Sequence, residues 1–284
     1  MKTFVKLALL TLAFANTAHA WFSTPHMLVA EIAYQHLDAD VRERADELIA
    51  MHADLYPKSA DFVTASLWAD DIKATGDSRY SAWHYVTLNY KEEMDPIPTH
   101  ADFPADNHVS WAIEHDKAIL KDPKESEENK AYALRRLIHW LGDIHEPEHA
   151  TTHVSSVYPT GNDLGGNNFL LSKDSVMPNL HYLWDSGVGL WVTDTMRPLS
   201  ESDKIALQEE AALLLKDAPS SLGTMDPYRW AIDSHQLGRH YAHGFGLMYK
   251  GTPNEEYTKE GQALSQRQVT IAGLRLAAIL NELL

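Results

Sequence analysis

Hydrophobic positions along this chain recur mostly at the three- to four-residue spacing of helices that bury one face. Thr24 and Pro25 read as N-cap and first helical residue of a helix that carries Met27 and reaches Leu37. Asp38 or Asp40 caps a second helix, which continues through Leu48 and Ile49. Ser59 starts a third, with Phe62, Ala65, Leu67 and Ile72 apolar. A polar, Pro-containing loop leads to a helix over residues 109–120. Residues 126–144 form another, with Leu134, Leu137, Ile138 and Leu141 on the inner face and Pro147 ending it. The stretch 150–180 is rich in Thr, Ser, Gly and Asn and reads as irregular, with Phe169, Leu170 and Leu171 pairing briefly as a strand. Helical spacing returns over 180–194, 200–216, 226–243 and 257–283. With no internal repeat, linker or low-complexity run, the pattern predicts one all-α domain over residues 21–284, with a short irregular or hairpin segment near 160–178.

Residues 1–20 stand apart from that domain. Lys2 and Lys6 precede a short apolar run, and Ala18-His19-Ala20 forms a small-x-small cleavage signal. The run is shorter than the ~20 residues that span a bilayer, so it reads as a removed signal peptide rather than an anchor. The expected mature chain is exported, to the periplasm or outside the cell, and begins at Trp21. It contacts no membrane and shows no sign of a protein partner, which makes a monomer the expectation. There is no cysteine, so stability must come from the core or from a metal held by His and carboxylates. Removing Lys2 and Lys6 from the 24 basic residues leaves 22 against 40 acidic ones, a net charge of −18 with His neutral. Such a surface is ill-suited to gripping a polyanion through basic patches. A polyanionic substrate would have to be drawn in by something else, such as bound divalent cations.

Candidate chemistry comes from the placement of histidines beside carboxylates. His139 and Asp143 lie at i and i+4, on one face of the helix that Pro147 ends, and His181 and Asp185 repeat the spacing. The spacing alone is weak, because His36 and Asp40 share it and read as a solvated helix junction. His149 follows six residues after Asp143, where the chain has left the helix and can turn back. Zinc accepts imidazole and carboxylate together, and Asp143, with two oxygens, could bridge two ions. Metals ~3.5–4 Å apart that share a hydroxide are one arrangement for displacement at a phosphate ester. An α-amine, with a reference pKa of ~7.7–8, can also ligate near neutral pH, so cleavage before Trp21 would offer its amine and carbonyl as a chelating pair near His26. On residues alone, Trp21 and His26 read equally well as a packed terminus and a capping histidine.

The start Trp21…His26, Trp68-Ala69-Asp70, Trp83-His84-Tyr85, the run from His139 to His149, Gly165-Gly166-Asn167, and Asn179-Leu180-His181-Tyr182-Leu183-Trp184-Asp185 together resemble the trinuclear zinc nucleases. These are the single-strand-preferring nucleases and 3′-nucleotidases of fungi, plants and bacteria, distant relatives of zinc phospholipase C. The resemblance implies three Zn2+ per chain. Asp70, His84, His139 and Asp143 would hold one; the Trp21 amine and carbonyl, His26 and the bridging Asp143 a close second; His149, His181 and Asp185 a third. It further implies a hydroxide between the close pair that attacks phosphorus, with Asp70, Lys73 and Asp143 as catalytic residues and the third zinc at the leaving 3′ oxygen. His145, inside the same run, is not a ligand in that pattern and reads as a core or C-terminal histidine.

The same resemblance gives Lys73 a place on the phosphate, where many members carry Arg; Lys lacks the bidentate fork. Tyr85 matches an aromatic on which a base stacks, and Leu164 and Asn167 edge the same pocket. Members often place an Asp or Asn shortly after that aromatic to hydrogen-bond the base; here the stretch is Val86-Thr87-Leu88-Asn89, which leaves base preference open, and the loop over 150–163 is longer than usual. His235, His240 and His243 have loose metal spacing and are expected to be solvent-exposed. Single-stranded nucleic acid and nucleotides are the implied substrates. Two rivals stand beside this reading: a phospholipase C, which usually shows His-x-x-x-Glu where this chain has His181 and Asp185, and an exported zinc-binding protein without turnover.

Overall fold

The helical expectation holds. The computed structural model of the chain describes residues 21–193 and 195–284; the expected leader, residues 1–20, lies outside them. Ten α-helical segments and one two-residue strand pairing make up the regular structure of the described residues. Helix α6 (Glu127–Asp143) runs through the middle, buried on all sides over its last thirteen residues except at Tyr132, and starts where the Ser126 hydroxyl accepts the Asn129 N–H at 3.2 Å. Around it pack α1 (Ser23–Gln35), α2 (Ala39–Ala50), α5 (Val109–Lys121) and the long α10 (Glu255–Leu283). None of the described helices is long and apolar enough to cross a membrane.

Several boundaries differ from the pattern, and each difference has a local cause. Thr24 is not the cap of α1: Phe22 holds that position, and the Thr24 hydroxyl instead donates to the Thr193 carbonyl at 3.4 Å. The start of α1 is fixed from outside, by the Phe22 N–H donating to the Asp185 carbonyl at 2.9 Å. Asp38 occupies the cap position of α2 without a side-chain cap bond, and Asp40 lies in its first turn.

The third helix is broken. A 3-10 turn at Pro57–Ser59 precedes α3 (Phe62–Ala65), capped by Asp61 rather than Ser59, and α4 (Trp68–Ala74) follows after a turn. That turn points the Ser66 carbonyl at α6, where the centre uses it.

Helix α7 (Leu180–Asp185) stops nine residues before the expected end, because Gly187, Val188 and Gly189 all take positive φ. Helices α8 (Glu201–Leu214) and α9 (Pro227–Leu237) follow, and α9 runs on through a wide turn at Gly238–Ala242. The expected strand at Phe169–Leu171 reduces to one bridge between Leu170 and Asn179. The strand pairing is elsewhere, parallel, between β1 (Asn89–Tyr90) and β2 (Thr152–His153). It carries the irregular segment across the end of α6.

Two apolar cores result. The larger joins α1, α2, α5, α6 and α10 and holds Trp21, Trp68, Trp140 and Trp230; the smaller surrounds Trp184, Tyr257 and Phe169. His139 and Asp143 hang from the first core and His181 and Asp185 from the second.

Candidate metal centre

Buried imidazoles and carboxylates converge at the C-terminal end of α6. His139 is oriented by its Nδ1–H, which donates to the Ser66 carbonyl at 2.6 Å and turns Nε2 towards Asp143 Oδ2 at 3.2 Å. His84, at the end of the 3-10 turn Ser81–His84, brings its Nδ1 to 3.0 Å from the same oxygen and 3.7 Å from Asp70 Oδ1. From α1, His26 Nε2 approaches Asp143 Oδ1 at 3.3 Å. The His26 ring stacks on His139 with centroids 4.1 Å apart, and it fits only because residue 142 is Gly: a Cβ there would meet His26 Nδ1 at 2.6 Å. Trp21 is buried beside them, its indole N–H donating to the Gly142 carbonyl at 2.9 Å, and it borders a cavity together with Asp70.

A second group sits a few ångströms away. His149 donates from Nδ1 to the His84 carbonyl at 2.8 Å, and His181 from Nδ1 to the Gly165 carbonyl at 2.7 Å. Their rings lie parallel, and their Nε2 atoms are 3.8 and 3.5 Å from the two oxygens of Asp185. In His139, His149 and His181, therefore, a backbone acceptor fixes Nδ1 and turns Nε2 towards a carboxylate. Outer-shell partners orient metal-ligating histidines in this way.

The residues fit a metal by a direct criterion. Both nitrogens of His26, Asp70 Oδ1, both oxygens of Asp143, His149 Nε2 and both oxygens of Asp185 are buried with no hydrogen-bond partner. Unmet polar atoms are rare in protein interiors and cost about 1–3 kcal/mol each, so a cluster of them marks a place where cations belong. Tetrahedral zinc with ligands at ~2.0–2.2 Å spaces its donor atoms about 3.3–3.6 Å apart, close to the separations found here.

The electrostatics agree. Burial pulls His139 down, but Asp143 and Asp70 outweigh it and raise it to about 9; burial, with His139 alongside, lowers His26 to about 4. Two stacked imidazoles cannot both be protonated. Burial opposes ionisation of Asp143, yet His139 and His149 hold it well below the usual carboxylate range. Asp185 is pushed well above that range by burial and by the neighbouring carboxylates Glu146, Asp143 and Asp70. A divalent ion would let Asp185 ionise.

Beside the second group opens a cavity of about 320 Å³. Lys73, Tyr85, Leu164 and Asn167, all expected at the substrate, line it along with Val86, Thr87, Thr152 and Asn162. Tyr85 is 47% exposed and Leu164 53%. Lys73 is the sole Lys or Arg on this wall among the described residues.

Sequence reasoning missed two acidic residues inside the longest motif. Glu146 is fully buried, accepts the His149 N–H at 2.8 Å, and completes a four-residue donor group with His149, His181 and Asp185. Glu148, equally buried, joins Asp163 and His243 in a separate group. The signal was in plain view: two Glu flank Pro147 where an apolar interior would exclude charge. Exposure was also wrongly assigned to two histidines. His235 is buried, its Nδ1 3.1 Å from the Ala150 carbonyl, and the His243 side chain is 6% exposed; His240 alone is at the surface.

His145 behaves as expected of a core residue. Its Nδ1–H donates to the Leu141 carbonyl at 2.7 Å, and its Nε2 accepts from Arg275 at 2.7 Å on the far side of α6. His145→Ala should keep its metal content and most activity but lose about 2–4 kcal/mol of stability, since the buried Arg275 guanidinium loses one of its two acceptors and the core loses an imidazole. A fall in metal content without a fall in melting temperature would contradict this placement.

An all-helical chain with buried His and Asp groups fit for metal, beside an open cavity, has the form of a metal-dependent enzyme. Comparison with known proteins narrows the class. The profile of the S1/P1 nuclease family matches residues 21–284. Nuclease P1 of Penicillium citrinum is 23% identical over 283 residues, covering 93% of this chain and 97% of that protein. Nuclease S1 of Aspergillus oryzae is 24% identical, covering 99% and 98%, and Endonuclease 4 of Arabidopsis thaliana 27% identical, covering 94% and 90%. The chain belongs to the S1/P1 nuclease family. Its reaction class is hydrolysis of phosphodiester bonds.

Proposed function

We propose that this chain is an exported, zinc-dependent endonuclease that cuts single-stranded DNA and RNA and also removes the phosphate of 3′-nucleotides. The observation that carries the proposal is the set of buried, hydrogen-bond-orphaned ligand atoms beside a cavity walled by Tyr85 and Lys73. Three zinc ions would be held: one by Asp70, His84, His139 and Asp143, one by the Trp21 terminus, His26 and Asp143, and one by His149, His181 and Asp185. When bound, zinc supplies Lewis acidity and brings a water towards deprotonation near neutral pH. The family match starts at Trp21, in keeping with a leader that ends at Ala20.

The chain's own residues do the rest. Ser66, His84 and Gly165 carbonyls lock three imidazoles so that no reorganisation accompanies the reaction. Lys73 offsets negative charge at the phosphate. Tyr85 presents an open aromatic face to a base; stacking of this kind is worth ~1–3 kcal/mol and tolerates any sequence. A duplex cannot offer an unstacked base, and a surface of net charge −18 gives little purchase on its backbone.

Single strands should therefore be cut at least ~10-fold faster than duplex at a salt concentration where the duplex is intact. The assay uses denatured DNA, RNA, duplex DNA, a 3′-nucleotide and phosphatidylcholine, each with and without a chelator. Equal rates on single strands and duplex would remove the stacking role. Turnover of phosphatidylcholine alone would make the chain a phospholipase, and no turnover in zinc-loaded protein would make it a binding protein.

A further inference from the structure

Glu148, Asp163 and His243 come from three distant parts of the chain and meet in the interior, outside the centre described above. Glu148 lies in the 3-10 turn Pro147–Ala150, Asp163 in the irregular segment, and His243 just past the wide turn that ends α9. His243 Nε2 is 3.4 Å from Glu148 Oε1 and 3.3 Å from Asp163 Oδ2. Glu148 and Asp163 side chains are fully buried, and that of His243 is 6% exposed.

None of the facing atoms has a hydrogen-bond partner. Both oxygens of Glu148, Oδ2 of Asp163 and both nitrogens of His243 are orphaned. An imidazolium cannot account for this, because one N–H at Nε2 serves at most one of the two carboxylates and leaves the rest unmet. The parts are nonetheless held in place. Asp163 Oδ1 accepts the His153 N–H at 2.8 Å, which turns Oδ2 inward. Residue 166 is Gly at φ +76°, and a Cβ there would lie 2.5 Å from Glu148 Oε2. Burial lowers His243 to about 4, so its ring stays neutral and offers a lone pair.

We infer that Glu148, Asp163 and His243 bind a fourth divalent cation, of the borderline transition-metal class typified by zinc. Tetrahedral ligands at ~2.0–2.2 Å lie about 3.3–3.6 Å apart, matching the two separations from His243. One imidazole with two carboxylates favours zinc or manganese over calcium, which takes six to eight oxygens. The cation would tie together the Pro147–Ala150 turn, the loop that carries Leu164 and Gly165, and the segment after α9. Gly165 supplies the carbonyl that orients His181, so the site braces a wall of the cavity from behind.

This inference does not rest on the nuclease reading, because its readout is metal content. Native mass spectrometry of the folded, zinc-loaded protein should show one more bound ion in the wild type than in His243→Gln or Asp163→Asn. Equal counts in wild type and both folded variants overturn it. Should the variants fail to fold, anomalous scattering at the zinc edge from wild-type crystals decides: a peak within ligand distance of His243 Nε2 supports the site, and its absence refutes it. Failure of the catalytic cluster would look different, as missing ions around Asp143 and Asp185.

Discussion

Asp143→Asn should abolish most of the activity and lower the melting temperature, and the second effect should vanish in chelator. Asp143 faces His26 through Oδ1 at 3.3 Å, and His84 and His139 through Oδ2 at 3.0 and 3.2 Å, so each of its oxygens meets a different set of imidazoles. Asn keeps the shape but removes the charge that two cations would share. Changes to outer-shell partners alone cost 10–100-fold, so loss of a shared ligand should cost more than ~100-fold. A ligand present at ~100 times its Kd contributes about 2.7 kcal/mol to folding, and in a domain of this size 1 kcal/mol moves Tm by about 2–4 °C. A drop of roughly 5–10 °C follows for each ion lost. In chelator, wild type and variant should melt together, or the variant higher, because a buried carboxylate without cations is a burden. An Asp143→Asn protein with full activity would show that no ions share this residue.

The physics explains what could be read from the sequence. Helix α6 was legible because propensity, the Ser126 cap and the apolar face all point the same way, and its burial follows. The candidate ligands on it, His139 and Asp143, were legible for the same reason, since i and i+4 on a helix share a face. His84 and Asp70 could be placed only by resemblance, because their position depends on turns that periodicity does not record. The break between α3 and α4 is such a case: the pattern runs on through Leu67 and Ile72, but the turn at Ser66 is what orients His139. The early end of α7 depends on positive φ at Gly187, Val188 and Gly189, where Val188 gives no warning. The burial of His243 leaves no mark on its local sequence, because its neighbours in space, Glu148, Asp163, Tyr90 and Phe169, are brought to it from elsewhere in the chain.

A chain made without its leader but with Met retained ahead of Trp21 should bind less zinc and lose most of its activity, more than ~10-fold. Trp21 is held by its side chain: it is 1% exposed, its indole is bonded to the Gly142 carbonyl, and the ring is packed edge-on against Trp191 at 6.3 Å. Phe22 is pinned in turn by its N–H to the Asp185 carbonyl at 2.9 Å. A preceding Met therefore leaves the residue in place and changes one thing, converting the amine nitrogen into an amide. An α-amine sheds its proton near ~7.7–8 and then offers a lone pair, whereas an amide nitrogen offers none near neutral pH. His26 and Asp143 remain, so the fold should survive with a lower Tm, and circular dichroism should show it intact. Removing the Met by proteolysis, and so exposing Trp21, should restore both zinc and activity in the same sample. That recovery separates a lost ligand from a damaged fold. Full zinc loading and full activity with Met still attached would mean that Trp21 is only a packed side chain, and that His26 and Asp143 hold their ion without the terminus.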